Sequence, residues 1–269
     1  MKKFTPVYLI ILLIKFSLHF AGFSQILNVE KSRLEEDSSK YFIGKASLGM
    51  NLNNRGVIAD QPVTFLGINA STDLAYFSDK HTYMFINFFN YISNNGNAFI
   101  SAGYSHFRIH FLRKKRMSYE NFYQYQYDRP RGMNYRRLTG TGLRYVLLKS
   151  EAVNFYLGTG LFLEQEEWQS PVDEIGIRNV VLAKSNNYFS VRFNANQNLK
   201  FNTIIYYQLG PDPAANLWRQ RVSGEANINV RISKKVSMKT SFNSTFENHP
   251  IVPVRKFIYT MLNGVEVNF

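Results

Sequence analysis

The chain has 269 residues, a length that fits one all-β barrel and does not require a second domain. It contains no cysteine, which excludes disulfides, thiolate nucleophiles and cysteine-based metal sites. Its formal net charge is +13 and 16% of its residues are aromatic, an excess that the aromatic girdles of a membrane barrel would explain.

The N-terminus has the features of a cleaved signal peptide. Two lysines precede an apolar run at 7–14, and the small residues Gly22 and Ser24 precede a cleavage site. The alternative is a retained transmembrane anchor, but Lys15 leaves the run short of the ~20 apolar residues that a span needs. We therefore predict a signal peptide at 1–24.

Residues 25–40 have no clear period, and we predict that they form a periplasmic lead-in segment. From 41 to 269, apolar and polar residues alternate, as in strands with one apolar and one polar face. Soluble sandwich strands are usually about 5–6 residues long, whereas these runs approach the length of a tilted membrane strand. The pattern predicts an all-β fold, an antiparallel transmembrane β-barrel over 41–269.

About twelve strands are predicted, separated by connections that alternate in length. The strands lie near 42–53, 63–78, 81–93, 98–113, 117–128, 134–148, 152–166, 184–196, 200–209, 216–232, 235–247 and 256–269. The longest predicted loop is 167–183. Short turns on the periplasmic side and longer loops outside are typical of outer-membrane barrels.

Two glycine-bearing strands carry a resemblance to a known family. The segment Leu138–Tyr145, the segment Tyr156–Gly160 and the acids Glu164 and Glu166 resemble the salt-induced outer-membrane proteins, catalogued as domain of unknown function 481. The resemblance implies a barrel in the outer membrane of a Gram-negative bacterium. The terminal Phe269 resembles the aromatic ending that the barrel-assembly machinery recognises, and the family has no established activity to carry over.

The two Gly-x-Gly pairs, at 140/142 and 158/160, could suggest a nucleotide-binding loop. A phosphate loop needs a third glycine and a following helix, and neither is present here. Glycines on one face of a strand more often mark curvature or the close approach of a bulky neighbour. We therefore interpret both pairs as structural.

No catalytic or metal-binding set is predicted, and we expect neither a cofactor nor an enzyme. His106 and His110 share one strand face but are separated by about 13 Å, too far to share a metal. Ser105 points away from His106, since adjacent strand residues face opposite sides. A lipid-modifying enzyme would need Ser and His on one face, and the sequence offers no convincing set.

An acidic cluster surrounds the longest predicted loop, comprising Glu164, Glu166, Glu167, Asp173 and Glu174. Hard divalent cations bind several carboxylate oxygens, so a cation site is one interpretation. The spacing matches no calcium loop, and a solvated loop is the interpretation that we favour.

Basic residues differ between the two ends of the predicted barrel. Short turns carry mainly lysine and the loop side favours arginine, whose planar fork suits phosphate groups. Outer-membrane lipid and lipopolysaccharide are therefore expected partners, although charges that simply keep out of the hydrocarbon would give the same pattern. We expect no nucleic-acid partner for a barrel that faces lipid.

The polar strand faces converge on a predicted lumen. Its charged candidates are Lys45, Asp73, Glu120, Arg144, Arg192, Arg219, Arg221, Glu225, Arg231 and Glu266. Mixed signs predict paired side chains that mostly fill the interior, with a preference for anions in any leak. The predicted function is an outer-membrane barrel of unknown specific role, with envelope stress or permeability implied by the resemblance. A narrow channel for a small hydrophilic or anionic solute is the alternative, and a lipid-modifying enzyme is the second.

Overall fold

The computed structural model describes residues 41–54, 63–170, 176–196, 198–233 and 235–267. The predicted signal peptide at 1–24, the predicted lead-in at 25–40 and Phe269 lie outside the described residues. Within the described ranges, no helix is long and apolar enough to cross a membrane.

The described residues form twelve β-strands in one sheet, which confirms the predicted number. They are β1 (Phe42–Asn54), β2 (Thr64–Phe77), β3 (Thr82–Asn94), β4 (Asn97–Phe111), β5 (Met117–Asp128), β6 (Met133–Lys149), β7 (Val153–Gln169), β8 (Ile177–Asn194), β9 (Leu199–Asp212), β10 (Leu217–Arg231), β11 (Val236–Glu247) and β12 (Phe257–Val267). Strands neighbour one another in chain order, and every described pair is antiparallel. A 3-10 turn, Arg129–Arg131, precedes β6.

The connections define two ends of the sheet. At the turn end, the links at 78–81, 112–116 and 150–152 are short, whereas the β11–β12 loop at 248–256 lies at the opposite, loop end. The prediction of a long loop at 167–183 is wrong, because β7 and β8 extend until Gln169 pairs with Ile177. The sheet therefore rises higher on this side than the sequence pattern predicted.

The sheet curves into a barrel, because side chains from strands that are not neighbours meet on one face. Arg221 of β10 binds Glu164 of β7, and Tyr188 of β8 donates to Glu120 of β5. This inner face is polar and largely buried along β4–β9. Alternate residues point outward, as strand geometry requires.

The outer face is apolar and exposed. Leu161, Leu163 and Val181 are 67%, 54% and 60% exposed on adjacent strands. The polar side chains at mid-strand on this face bond to each other across neighbouring strands, in the pairs Asn87–Ser105, Asn121–Thr141, Thr159–Asn187 and Thr240–Asn263. Such pairing lowers the cost of placing polar groups in an apolar medium.

The Gly-x-Gly pairs are packing positions inside β6 and β7, as predicted. A Cβ added at Gly140 would meet the ring of Phe122, and one added at Gly158 would meet the ring of Tyr188. Gly142 and Gly160 pair directly across the two strands. Because glycine has no side chain, Gly140 and Gly158 leave room for these two large rings inside the barrel.

Candidate functional site in the barrel interior

Six charged side chains form a buried layer near the loop end of the interior. The ion-pair layer comprises Arg136, Glu164, Glu166, Lys184, Arg221 and Glu247, from strands β6, β7, β8, β10 and β11. Each side chain is less than 10% exposed, and the charges balance at three of each sign. Burying charge is tolerated only where the charges are paired in this way.

Arg221 is the centre of the ion-pair layer. Its Nη1 lies 2.6 Å from Glu164 Oε1 and its Nε lies 2.8 Å from Glu247 Oε1. Its Nη2 lies 3.2 Å from Glu166 Oε1. The guanidinium fork therefore donates to three carboxylates at once, which the single ammonium of lysine could not do with the same geometry.

Two further bases complete the layer. Arg136 Nε contacts Glu166 and lies 3.2 Å from Glu164 Oε1, while Lys184 Nζ contacts Glu164 Oε2. Trp168 Nε1 donates to Glu166 Oε2 at 3.0 Å. Every carboxylate in the layer therefore has at least two donors, which compensates for its removal from water.

The expectation of a solvated loop for Glu164 and Glu166 is wrong. Both are fully buried, because β7 holds them on its inner face and bases from other strands pair with them there. The signal was present in the alternation, since both acids share the parity of Gly158 and Gly160. Glu167 faces outward and accepts from Asn134, and Asp173 and Glu174 lie outside the described residues.

A second buried group, the Glu120 cluster, lies nearer the turn end. It comprises Arg108, Glu120, Arg144, Tyr156 and Tyr188. Arg108 Nη1 and Arg144 Nη1 lie 3.4 and 3.7 Å from Glu120 Oε1, and the Tyr188 hydroxyl donates to Oε2 at 2.8 Å. The Arg144 guanidinium lies 4.0 Å from the centre of the Tyr156 ring. Large side chains from β4–β8 thus fill this side of the interior.

The opposite wall is lined with small polar side chains. By strand parity, this wall carries Ser47, Gly49, Asn51, Gly67, Asn69 and Ser71 on β1 and β2, Ser241, Asn243 and Thr245 on β11, and Thr260, Leu262 and Gly264 on β12. Ser47 Oγ and Ser71 Oγ lie 2.8 Å apart across β1 and β2. Most of these residues are small, so the interior is less filled along the middle of β11, β12, β1 and β2 than along β4–β8.

The ten predicted lumen residues differ in burial. Asp73, Glu120, Arg144 and Arg221 are buried; Arg192, Arg219 and Glu225 are half-buried; Lys45 and Arg231 are exposed. The side chain of Glu266 lies outside the described part of the chain. Arg136, Lys184 and Glu247 are not among the predicted lumen residues, although each alternates with an exposed neighbour and thereby lies on the inner face.

One Ser–His pair shares the inner face, contrary to the expectation that no such set exists. His110 Nε2 and Ser118 Oγ lie 2.6 Å apart, and the turn at 112–116 brings them together. Ser118 is only 1% exposed, so its hydroxyl is shielded from any external substrate. In the described part of the chain, no group of three or more His, Asp or Glu side chains is placed to hold a metal ion.

Comparison with known families identifies the chain. Its sequence matches the family model described as "Protein of unknown function, DUF481" over residues 66–252. The chain belongs to the DUF481 family. The resemblance stated for β6 and β7 is therefore confirmed, and the family match extends from β2 to the β11–β12 loop.

Solved structures resemble this DUF481 protein only distantly. The "CymD monoaromatic hydrocarbon channel" aligns with a TM-score of 0.43 and 7% identity, covering 91% of this chain and 95% of that chain. The β domain of the Bordetella autotransporter BrkA aligns with a TM-score of 0.35 and 9% identity, covering 86% and 100%. Likenesses at this level carry no argument about function. No curated protein matches the sequence.

Proposed function

We propose that this protein is an outer-membrane barrel whose interior is closed at rest, so that it passes little ion current. The observation that carries this proposal is the ion-pair layer. Its six paired side chains are each less than 10% exposed, so they are shielded from bulk water and obstruct the interior near the loop end. A role in envelope permeability or envelope stress fits such a closed barrel.

The apolar outer face supports the membrane location. Exposed leucine, valine and phenylalanine side chains cover the outer face of the sheet. The strands have 11–18 residues, enough to cross a membrane at a tilt. The expected partners are therefore outer-membrane lipid, with lipopolysaccharide at the loop end, and the assembly machinery that inserts barrels. The proposal includes no enzymatic activity, since the Ser118 hydroxyl is buried.

A narrow channel for a small hydrophilic or anionic solute is the second candidate. The wall of β11, β12, β1 and β2 favours it, because its serine, asparagine, threonine and glycine residues obstruct less of the interior than the large residues of β4–β8. The closed and conducting alternatives differ in one measurable quantity, the ionic conductance of the wild-type barrel.

Wild-type protein, refolded and inserted in planar bilayers, is expected to show little steady current. The residual current should favour anions, since exposed Lys45 and Arg231 bring positive charge to the inner face. Conductance and reversal potential under a salt gradient measure both properties. Large, steady, cation-selective currents would contradict both the closed interior and the positive charge assigned to its inner face.

Membrane topology can be tested with single cysteines, because the chain has none of its own. Ala214→Cys places a thiol in the exposed loop between β9 and β10, and Lys115→Cys places one in an exposed turn at the other end. A membrane-impermeant maleimide should label the first variant on intact cells and the second only after the outer membrane is opened. The reverse pattern would invert the proposed orientation.

Deletion of Phe269 tests the partner that the family resemblance implies. Synthesis and export should continue, whereas insertion into the outer membrane should fall, if the assembly machinery reads the last strand. The heat-modifiable band on gels reports the folded fraction in membranes. A wild-type folded fraction would show that Phe269 is dispensable for assembly.

A further inference from the structure

The β11–β12 loop, residues 248–256, crosses the loop end of the barrel. Val252 is 4% exposed and packs in one cluster with Met133 and Trp168, which belong to β6 and β7 on the far wall. Ile251 and Val254 pack against the same cluster. An apolar contact of this kind anchors the loop across the mouth, where an untethered loop would project into solvent.

Polar contacts hold the base of this loop. Asn248 Oδ1 accepts from the Gln220 backbone N–H at 2.8 Å, and Asn248 Nδ2 donates to the Trp218 carbonyl at 3.0 Å. Arg219 Nη1 donates to the His249 carbonyl, and its Nε lies 2.7 Å from Asp212 Oδ2. The loop is thus fastened to β10 at one side and to β6 and β7 at the other.

The loop is also connected to the ion-pair layer. Glu247, the residue immediately before the loop, binds Arg221 at 2.8 Å and Arg136 at 3.5 Å. Trp168 contacts Val252 through the apolar cluster and Glu166 through its indole N–H. A displacement of the loop therefore alters the environment of two carboxylates in the layer.

The loop arises from β11 and β12, next to the small polar wall. The ion-pair layer fills the side of the interior nearest β6–β10, and the wall of β11, β12, β1 and β2 carries mainly serine, asparagine, threonine and glycine at mid-strand, with Leu262 among them. Among the described residues at the loop end of that wall, the β11–β12 loop crosses toward β6 and β7. The two features divide the closure of the barrel between them.

We propose that the β11–β12 loop is a gate over a narrow polar passage along β11, β12, β1 and β2. The inference rests on the proposed closed barrel and names the element that regulates it. Release of Val252 from Met133 and Trp168 opens the loop end, and hydrated ions or small hydrophilic solutes then pass beside the ion-pair layer. The gate has two discrete positions, because the apolar contact of Val252 with Met133 and Trp168 is either packed or exposed to solvent.

The strands β11 and β12 remain paired at the base of the loop, so the loop can be removed and replaced by a tight turn. The Glu247 N–H donates to the Lys256 carbonyl at 2.8 Å, so the two strands are still paired at the base of the loop. Removal of 249–254 combined with Arg255→Gly would leave a two-residue Asn-Gly turn, which hairpins favour. The matched control removes Ala214 and Ala215, combined with Pro213→Asn and Asn216→Gly, and leaves the same turn between β9 and β10.

Conductance in planar bilayers is then compared among the three proteins. Excision of the β11–β12 loop is expected to raise the mean conductance about tenfold, whereas the control stays at the wild-type level. Wild-type current from a folded, loop-excised barrel would overturn the gate, and so would an equal rise in the control. A large current from the wild-type protein itself would instead overturn the proposed closed interior.

A cross-linked variant keeps the test decisive if the excised barrel does not fold. Met133→Cys and Val252→Cys introduce two thiols across the gate in a chain with no other cysteine. A short bifunctional thiol reagent should abolish the brief openings seen before its addition, whereas Val252→Cys alone should keep them. Openings that persist unchanged after cross-linking, or an absence of openings before it, would overturn the gate.

Discussion

Replacing Arg221 with alanine is expected to destabilise the folded barrel by about 3–5 kcal/mol, the usual cost of removing one partner from a buried ion pair. The variant leaves Glu164, Glu166 and Glu247 buried with only Arg136 and Lys184 to compensate. Urea unfolding in detergent micelles or vesicles measures the change in the free energy of unfolding.

Arg231→Ala is the matched control for Arg221→Ala. Arg231 lies on the same strand and has the same parity, but its side chain is exposed at the turn end. Its replacement should change the free energy of unfolding by no more than about 0.5 kcal/mol. If both alanine variants unfold at the wild-type urea concentration, the ion-pair layer contributes nothing to stability.

The second large effect is expected for Gly160→Ala in β7. An added Cβ would overlap the Thr141 carbonyl oxygen and lie 2.7 Å from the Gly142 Cα. Both are backbone atoms in the paired strand β6, so no side-chain rotation relieves the clash. We expect a loss of about 3 kcal/mol in the free energy of unfolding and a lower folded yield, measured by urea titration and gel mobility.

Gly264→Ala tests whether the loss at Gly160 is specific. Apart from its chain neighbours, no atom of the described residues lies within 4 Å of the position that a Cβ would occupy at Gly264 in β12. The substitution should be neutral or slightly stabilising, since alanine restricts the unfolded chain. Equal folded yields for the two alanine variants would contradict the proposed close approach of β6 and β7.

Local alternation was sufficient to predict most of the fold. A strand side chain points to the opposite face from its neighbour, so a single apolar stripe identifies the strand and its outer face. The C-terminal strand illustrates this, since Tyr259 and Met261 are exposed on the outer face and Thr260 between them is buried. The same pattern failed at the start of β8, where inward Val180 and Leu182 and outward Val181 form an apolar run without alternation.

The candidate site was predicted only in part. Glu120, Arg144 and Arg221 were identified because their parity on clearly alternating strands is unambiguous. Glu164 and Glu166 were assigned to a solvated loop, because charged residues near a predicted loop are usually solvated. Their burial depends on oppositely charged partners from other strands, which a reading of one strand at a time does not include.

By itself, the sequence determined the number of strands, their antiparallel order and the apolar face that meets the membrane in the proposed location. These properties follow from the period of two and from the short connections, which act over a few residues. The tertiary structure alone decided which charges meet inside. Arg136 and Glu247 are 111 positions apart and come within 3.5 Å only because the sheet curves. The position of Val252 across the mouth has the same origin, since the curvature that brings β6 and β7 opposite β11 and β12 creates the surface on which this loop packs.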